Sequence, residues 1–132
     1  MKPVVHDLVP FAHVADVARS IAFYRRLGFD IADSLEVEGR TVWCFLEAAD
    51  ARLMLARADE PVDPKQQAVL FYLYSHDVAA LREKLLGEGI AVSAITRPEH
   101  MPDGEIRAED PDGYTLLIGQ LPGRPSAPPD SE

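Results

Sequence analysis

The stretch DVARSIAFYRRLGFDI, residues 16–31, returns 61 positions later as DVAALREKLLGEGIAV, residues 77–92. Asp16-Val17 falls on Asp77-Val78, Tyr24 on Leu85, Gly28 on Gly89, Phe29 on Ile90 and Ile31 on Val92. An internal repeat sets the architecture before any single element does. In each copy the leading Asp offers a side-chain oxygen to the free amides of a helix N-terminus. Apolar residues then recur at three- and four-residue spacing: Val17, Ile21, Tyr24 and Leu27, then Val78, Leu81, Leu85 and, as a further inward candidate, Leu86. Glycine stops each helix, Gly28 in the first copy and Gly87 with Gly89 in the second. Two copies are too few for a solenoid. They are expected to pair around one core, with a pocket in the space between them.

Outward from the repeat, the pattern predicts strands over Leu8–Val14, Phe29–Glu36, Thr41–Glu47 and Arg52–Ala56. After the proline- and charge-rich RADEPVDPKQQ of residues 57–67 it predicts Val69–Tyr74, Val92–Thr96, Glu105–Glu109 and Thr115–Gln120. The last two flank Asp110-Pro111-Asp112-Gly113, whose proline and glycine suit a tight turn. Module one (8–56), a linker (57–67) and module two (68–121) therefore form a single α+β domain over 1–121, each module reading βαβββ. Residues 122–132, rich in proline, are expected to be a tail.

Composition narrows the function. The 132 residues are 47% apolar and 27% charged, as in an ordinary soluble domain. Thirteen basic against 22 acidic side chains leave a net charge of −9, which argues against nucleic acid and suits a cationic small molecule or simply a solvated surface. The single cysteine, Cys44, excludes an intrachain disulfide. It lies in the apolar run Val42-Trp43-Cys44-Phe45-Leu46, where a buried, inert thiol is expected. No signal peptide or apolar span is visible, so no membrane partner and a cytoplasmic location are expected.

The stretches PFAHVADVARSIAFYRRLGFDI, LFYLYSHDVAALREKLLGEGI and EDPDGYTLLIGQ resemble the vicinal oxygen chelate superfamily, which groups glyoxalases, extradiol dioxygenases and bleomycin resistance proteins. The resemblance spans roughly residues 8 to 121. It implies two βαβββ modules curled into an incomplete barrel around a cleft, and a homodimer. The family's enzymes hold a divalent metal on the first and last strands of both modules. The corresponding positions here are Val9, Met54, Leu70 and Leu117, none of which offers the oxygen or imidazole donor a hard cation requires. No metal and no other cofactor is therefore expected. His6, His13, His76 and His100 lack the spacing that joins two ligands. The serines lack a base or a strained elbow, so no catalytic residue is assigned.

A binding site remains. Alternation groups Phe11 and His13 on one strand face and Tyr72 and Tyr74 on another, joined by Met54 and Leu117 through the family correspondence. Trp43 and Phe45 share a face whose direction the sequence leaves open. Arg107 supplies a fixed charge, and His100 with Met101 a loop over the site. The reading is a metal-free binding protein similar to the bleomycin resistance branch, sequestering an aromatic or planar, cation-compatible ligand in an apolar cleft. The alternative is a glyoxalase- or dioxygenase-like lyase or isomerase that uses an unrecognised metal site or a carboxylate base, for which Glu47, Glu105 and Glu109 are the candidates.

Overall fold

A computed structural model describes residues 4–121, so the expected tail, 122–132, lies outside the described residues. The chain divides into two compact units between Val62 and Asp63, inside the stretch read as a linker.

The first unit runs β1 (Phe11–Val14), α1 (Val17–Arg25), β2 (Asp30–Val37), β3 (Arg40–Ala48) and β4 (Ala51–Arg57). Its sheet has the order β1-β4-β3-β2, with β1 parallel to β4 and the other pairs antiparallel. Asp16 caps α1 by accepting from the Arg19 amide at 3.2 Å. Val17, Ile21 and Tyr24 turn inward, and Ala12, Val14, Cys44, Leu46, Leu53 and Leu55 bury the facing side of the sheet. Tyr24 meets Phe23 and Phe29 edge-on, at centroid distances of 5.2 and 5.8 Å. The expected strand over 8–14 begins only at Phe11. Pro10 has no N–H to give a ladder, although its carbonyl still accepts from the Met54 amide at 2.9 Å.

The second unit runs from a short 3-10 turn (Pro64–Gln66) through β5 (Leu70–Ser75), α2 (Val78–Gly87), β6 (Glu105–Glu109) and β7 (Thr115–Gln120). The order is β5-β7-β6, again with the first strand parallel to the last. The repeat is visible in register: Phe11 faces Met54 across one parallel pair, and Tyr72 faces Leu117 across the other. Asp77 caps α2 through the Ala80 amide at 3.0 Å. Buried Gln120 joins that end to the sheet, accepting from the Val78 amide at 3.0 Å and donating to the His76 carbonyl at 2.6 Å. Val78, Leu85, Ile106, Ala108, Leu116 and Ile118 form the core. Leu86 is 40% exposed rather than inward; one step round the helix from Leu85 carries it off the buried face.

The expected strand over 92–96 does not form. The Ser93 amide donates to the Arg107 carbonyl at 3.0 Å, and Thr96 exchanges two bonds with Glu105. The Arg107 amide, however, donates to the Ser93 hydroxyl at 2.9 Å. A side chain thus replaces a main-chain acceptor, and no regular ladder follows. Residues 90–93 and 107–109 line an open cavity of about 330 Å³.

The Asp110–Gly113 turn is built as its sequence suggests. Asp110 Oδ1 accepts from the amides of Asp112 and Tyr114, both at 2.9 Å. Gly113 has φ +85°, and its α-carbon lies so close to Pro64 that a Cβ would stand 2.5 Å from the Pro64 carbonyl oxygen. Among the described residues, no helix is long and apolar enough to cross a membrane.

Candidate functional site

Each unit covers one face of its sheet with its own helix and leaves the other open. In the first unit Cys44 and Leu46 are fully buried, so alternation turns Trp43 and Phe45 to the open face, the question the sequence left undecided. Register brings Phe11, Met54 and Phe45 to one level of that face, and His13, Ala56, Trp43 and Leu35 to the next. Phe11 remains 54% exposed and lies 5.7 Å from the His13 ring.

The second unit's open face carries Leu70, Tyr72 and Tyr74 from β5, Thr115 and Leu117 from β7, and Glu105, Arg107 and Glu109 from β6. Gly119, opposite both Tyr74 and Glu105, vacates one end of it. The loop before β6 settles there. Met101 is buried, and a Cβ on Gly119 would come within 2.8 Å of both the Met101 methyl and the Tyr72 hydroxyl. Met101 thus packs beneath the loop, while His100 is exposed on it.

Three polar groups converge at this end. Tyr72 donates its hydroxyl to Glu105 Oε2 at 2.6 Å, and His100 Nε2 lies 2.8 Å from the same oxygen. Glu105 is only 8% exposed. The Tyr72 hydrogen bond, aided by His100 and opposed by burial, holds its carboxyl below the usual carboxylate range. Burial, followed by the bond to Glu105 and the charge of Glu105, pushes the Tyr72 phenol up to about 12. The arrangement keeps an ionised carboxylate and a protonated phenol side by side. It can orient an imidazole and receive a hydrogen-bond donor, and it is poorly suited to removing a proton from carbon.

Arg107 is exposed, and its Nη2 reaches Thr115 Oγ1 at 3.5 Å and Glu109 at 3.9 Å, directed away from this cluster. The two groups of predicted residues therefore lie on separate sheet faces: Phe11, His13, Trp43, Phe45 and Met54 on one, Tyr72, Tyr74, Arg107 and Leu117 on the other, with His100 and Met101 at its end. Glu105, which the sequence offered only as one of three candidate bases, joins this second face. Parity with Arg107 was the available signal, since the two are separated by one residue on β6.

The four family metal positions offer apolar side chains, which do not fit a hard divalent cation. Among the described residues no group of three or more His, Cys, Asp or Glu is placed to hold a metal. Cys44 is buried, which pushes its thiol up to about 11 and suppresses the nucleophilic thiolate.

With this geometry in place, similarity to known proteins becomes informative. The profile of the Glyoxalase/Bleomycin resistance protein/Dioxygenase superfamily matches residues 9–118. No curated protein matches the chain. Among solved structures, a bleomycin-binding protein complexed with bleomycin is 23% identical over 88% of this chain and 98% of its own, with a TM-score of 0.71. A bleomycin resistance determinant encoded on the transposon Tn5 is 22% identical over 90% and 100%, with a TM-score of 0.73. TnmS3, an antibiotic binding protein from Streptomyces sp. CB03234, is 22% identical over 91% and 98%, with a TM-score of 0.69. At these identities the likeness is one of fold.

Proposed function

The chain belongs to the glyoxalase/bleomycin resistance protein/dioxygenase superfamily, and from that premise we propose that it is a metal-independent, cytoplasmic small-molecule-binding protein that sequesters an aromatic or planar ligand. The observation that carries this reading is the open face of each sheet, where aromatic side chains stand half-exposed or exposed, Phe11 at 54% and Tyr74 at 57%. Rings left in water on a regular surface favour a flat apolar partner, and the tyrosine hydroxyls fix its orientation. A fold of this kind holds bleomycin in one of the similar structures. The same exposed rings, with Leu35 and Leu70 beside them, support a homodimer as the working form.

The competing reading is an enzyme with a carboxylate base. Glu105 counts against it, because a carboxylate held below its usual range by two donors is a weakened base. A native mass spectrum of the full chain, followed by titration of planar aromatic compounds against Trp43 fluorescence, tests the proposal. A metal-free dimer whose Trp43 emission changes saturably is expected. One divalent ion per subunit overturns the metal-free reading, and a silent Trp43 with no calorimetric binding overturns sequestration.

A further inference from the structure

We propose that Glu105 is the recognition point for a protonated nitrogen on the ligand, an ammonium, amidinium or guanidinium group seated between its Oε1 atom and the rings of Tyr72 and Tyr74. This rests on the binding reading above and names the ligand chemistry it favours. Both local donors converge on Oε2. Oε1 accepts no hydrogen bond from the described residues, yet no fully enclosed side-chain polar atom among them lacks a partner. Oε1 therefore keeps access to solvent on a side chain that is about nine-tenths buried.

A buried carboxylate is normally paired with a cation. Here the ion-pair partner among the described residues is His100, and no lysine or arginine reaches it. Arg107 is turned to Thr115 and Glu109, and Arg97 donates to the Pro102 carbonyl at 3.3 Å. The surroundings suit a second cation, borne by the ligand, at the oxygen His100 does not reach. The Tyr72 and Tyr74 ring centroids are 5.3 Å apart and those of Tyr72 and His100 are 6.2 Å apart, so aromatic rings cluster around the group that presents its hydroxyl to the carboxylate. The net charge of −9 steers cations towards the protein. An anionic ligand group would meet Glu105 unfavourably.

The test compares two probes that differ only in this group, naphthylmethylammonium and naphthylmethanol, titrated calorimetrically into the full chain at about pH 8. Wild type should bind the ammonium about 10-fold tighter or better, the size of one hydrogen bond to a charged partner. Glu105→Gln should erase that preference while leaving the alcohol's affinity unchanged. Glu83→Gln, which removes the same charge from the exposed side of α2, should change neither. A wild type without preference, or a Glu105→Gln protein that keeps it, overturns the proposal while the binding reading stands. Binding of neither probe overturns both. Should Glu105→Gln fail to fold, a crystal structure of wild type with the ammonium decides. Its nitrogen about 3 Å from Glu105 Oε1 supports the proposal, and a nitrogen elsewhere overturns it.

Discussion

Replacing Gly113 by Ala should be among the most damaging one-carbon changes in the second unit, and its magnitude can be worked from the turn. Alanine at φ +85° places a side chain in the left-handed region, at about 1–2 kcal/mol. Part of this is returned because alanine narrows the unfolded ensemble, by about 0.4–1 kcal/mol. The larger component is steric. The new Cβ would stand 2.5 Å from the Pro64 carbonyl oxygen and 2.6 Å from the Pro64 Cα and Cβ, so main chain has to yield. Yielding pulls residues 64–67 off the turn and endangers the 3.1 Å bond from Gln67 Nε2 to the Asp112 carbonyl, worth about 1 kcal/mol. With about 1–3 kcal/mol for the overpacking itself, these give about 2–5 kcal/mol, or a Tm lower by roughly 10–30 °C. Gly89 supplies the control within the same unit. Its φ is +82°, but nothing lies within 4 Å of the Cβ it would acquire, so Gly89→Ala carries the conformational part alone, at most about 1.6 kcal/mol. Urea unfolding followed by circular dichroism measures both. If Gly113→Ala falls within about 0.5 kcal/mol of Gly89→Ala, the docking of Pro64 on the turn is refuted.

Tyr72→Phe removes a charge-assisted hydrogen bond and should cost about 1.5–3 kcal/mol at neutral pH by urea titration. Because the folded state holds the Glu105 carboxyl below its usual range, that stabilisation is complete above the ordinary carboxylate pKa and lost as pH falls through the lowered one. Tyr72→Phe removes the main cause of the lowering, so the acid-side loss of stability linked to Glu105 should shrink relative to wild type, its onset still set by the carboxyl of the unfolded chain. At the alkaline end the sign reverses. Tyr72 stabilises fully below about pH 10, and its contribution is lost as pH rises towards about 12. A phenolate absorbance titration should show a late-ionising tyrosine that vanishes in Tyr72→Phe. Cys44 should be unreactive towards a disulfide reagent in the native protein and release one thiol per chain in urea; rapid native labelling contradicts its burial.

What the sequence revealed was what local chemistry decides. Asp16 and Asp77 cap the helices as read, because a cap needs only the next three residues. The β6–β7 hairpin matched to the residue, since the turn between its strands carries its own instructions. Elements that depend on a distant partner were misread. Residues 92–96 have strand-forming composition, but on the β6 edge the Arg107 amide donates to the Ser93 hydroxyl where a regular ladder needs a main-chain carbonyl. The facing of Trp43 and Phe45 was illegible for a related reason: β3 is apolar on both sides, so no alternation marks the buried one.

The site failed to show itself through its glycine. Glu105 stood among three strand carboxylates, Glu47, Glu105 and Glu109, with nothing local to separate them. Its distinction comes from Tyr72, 33 residues away, and from a loop that folds back over β7. Gly119 is what permits that fold. A glycine inside a strand marks a place where other atoms approach closely, and its partners in register are Tyr74 on one side and Glu105 on the other. Any side chain there would collide with the Met101 methyl and the Tyr72 hydroxyl, both of which occupy the vacated space. The absence of one side chain thus lets Met101 seal that end of the face, seats the Tyr72 hydroxyl against the carboxylate, and leaves His100 within reach of the same oxygen. The Tyr72–Glu105–His100 cluster follows from Gly119 as much as from Glu105.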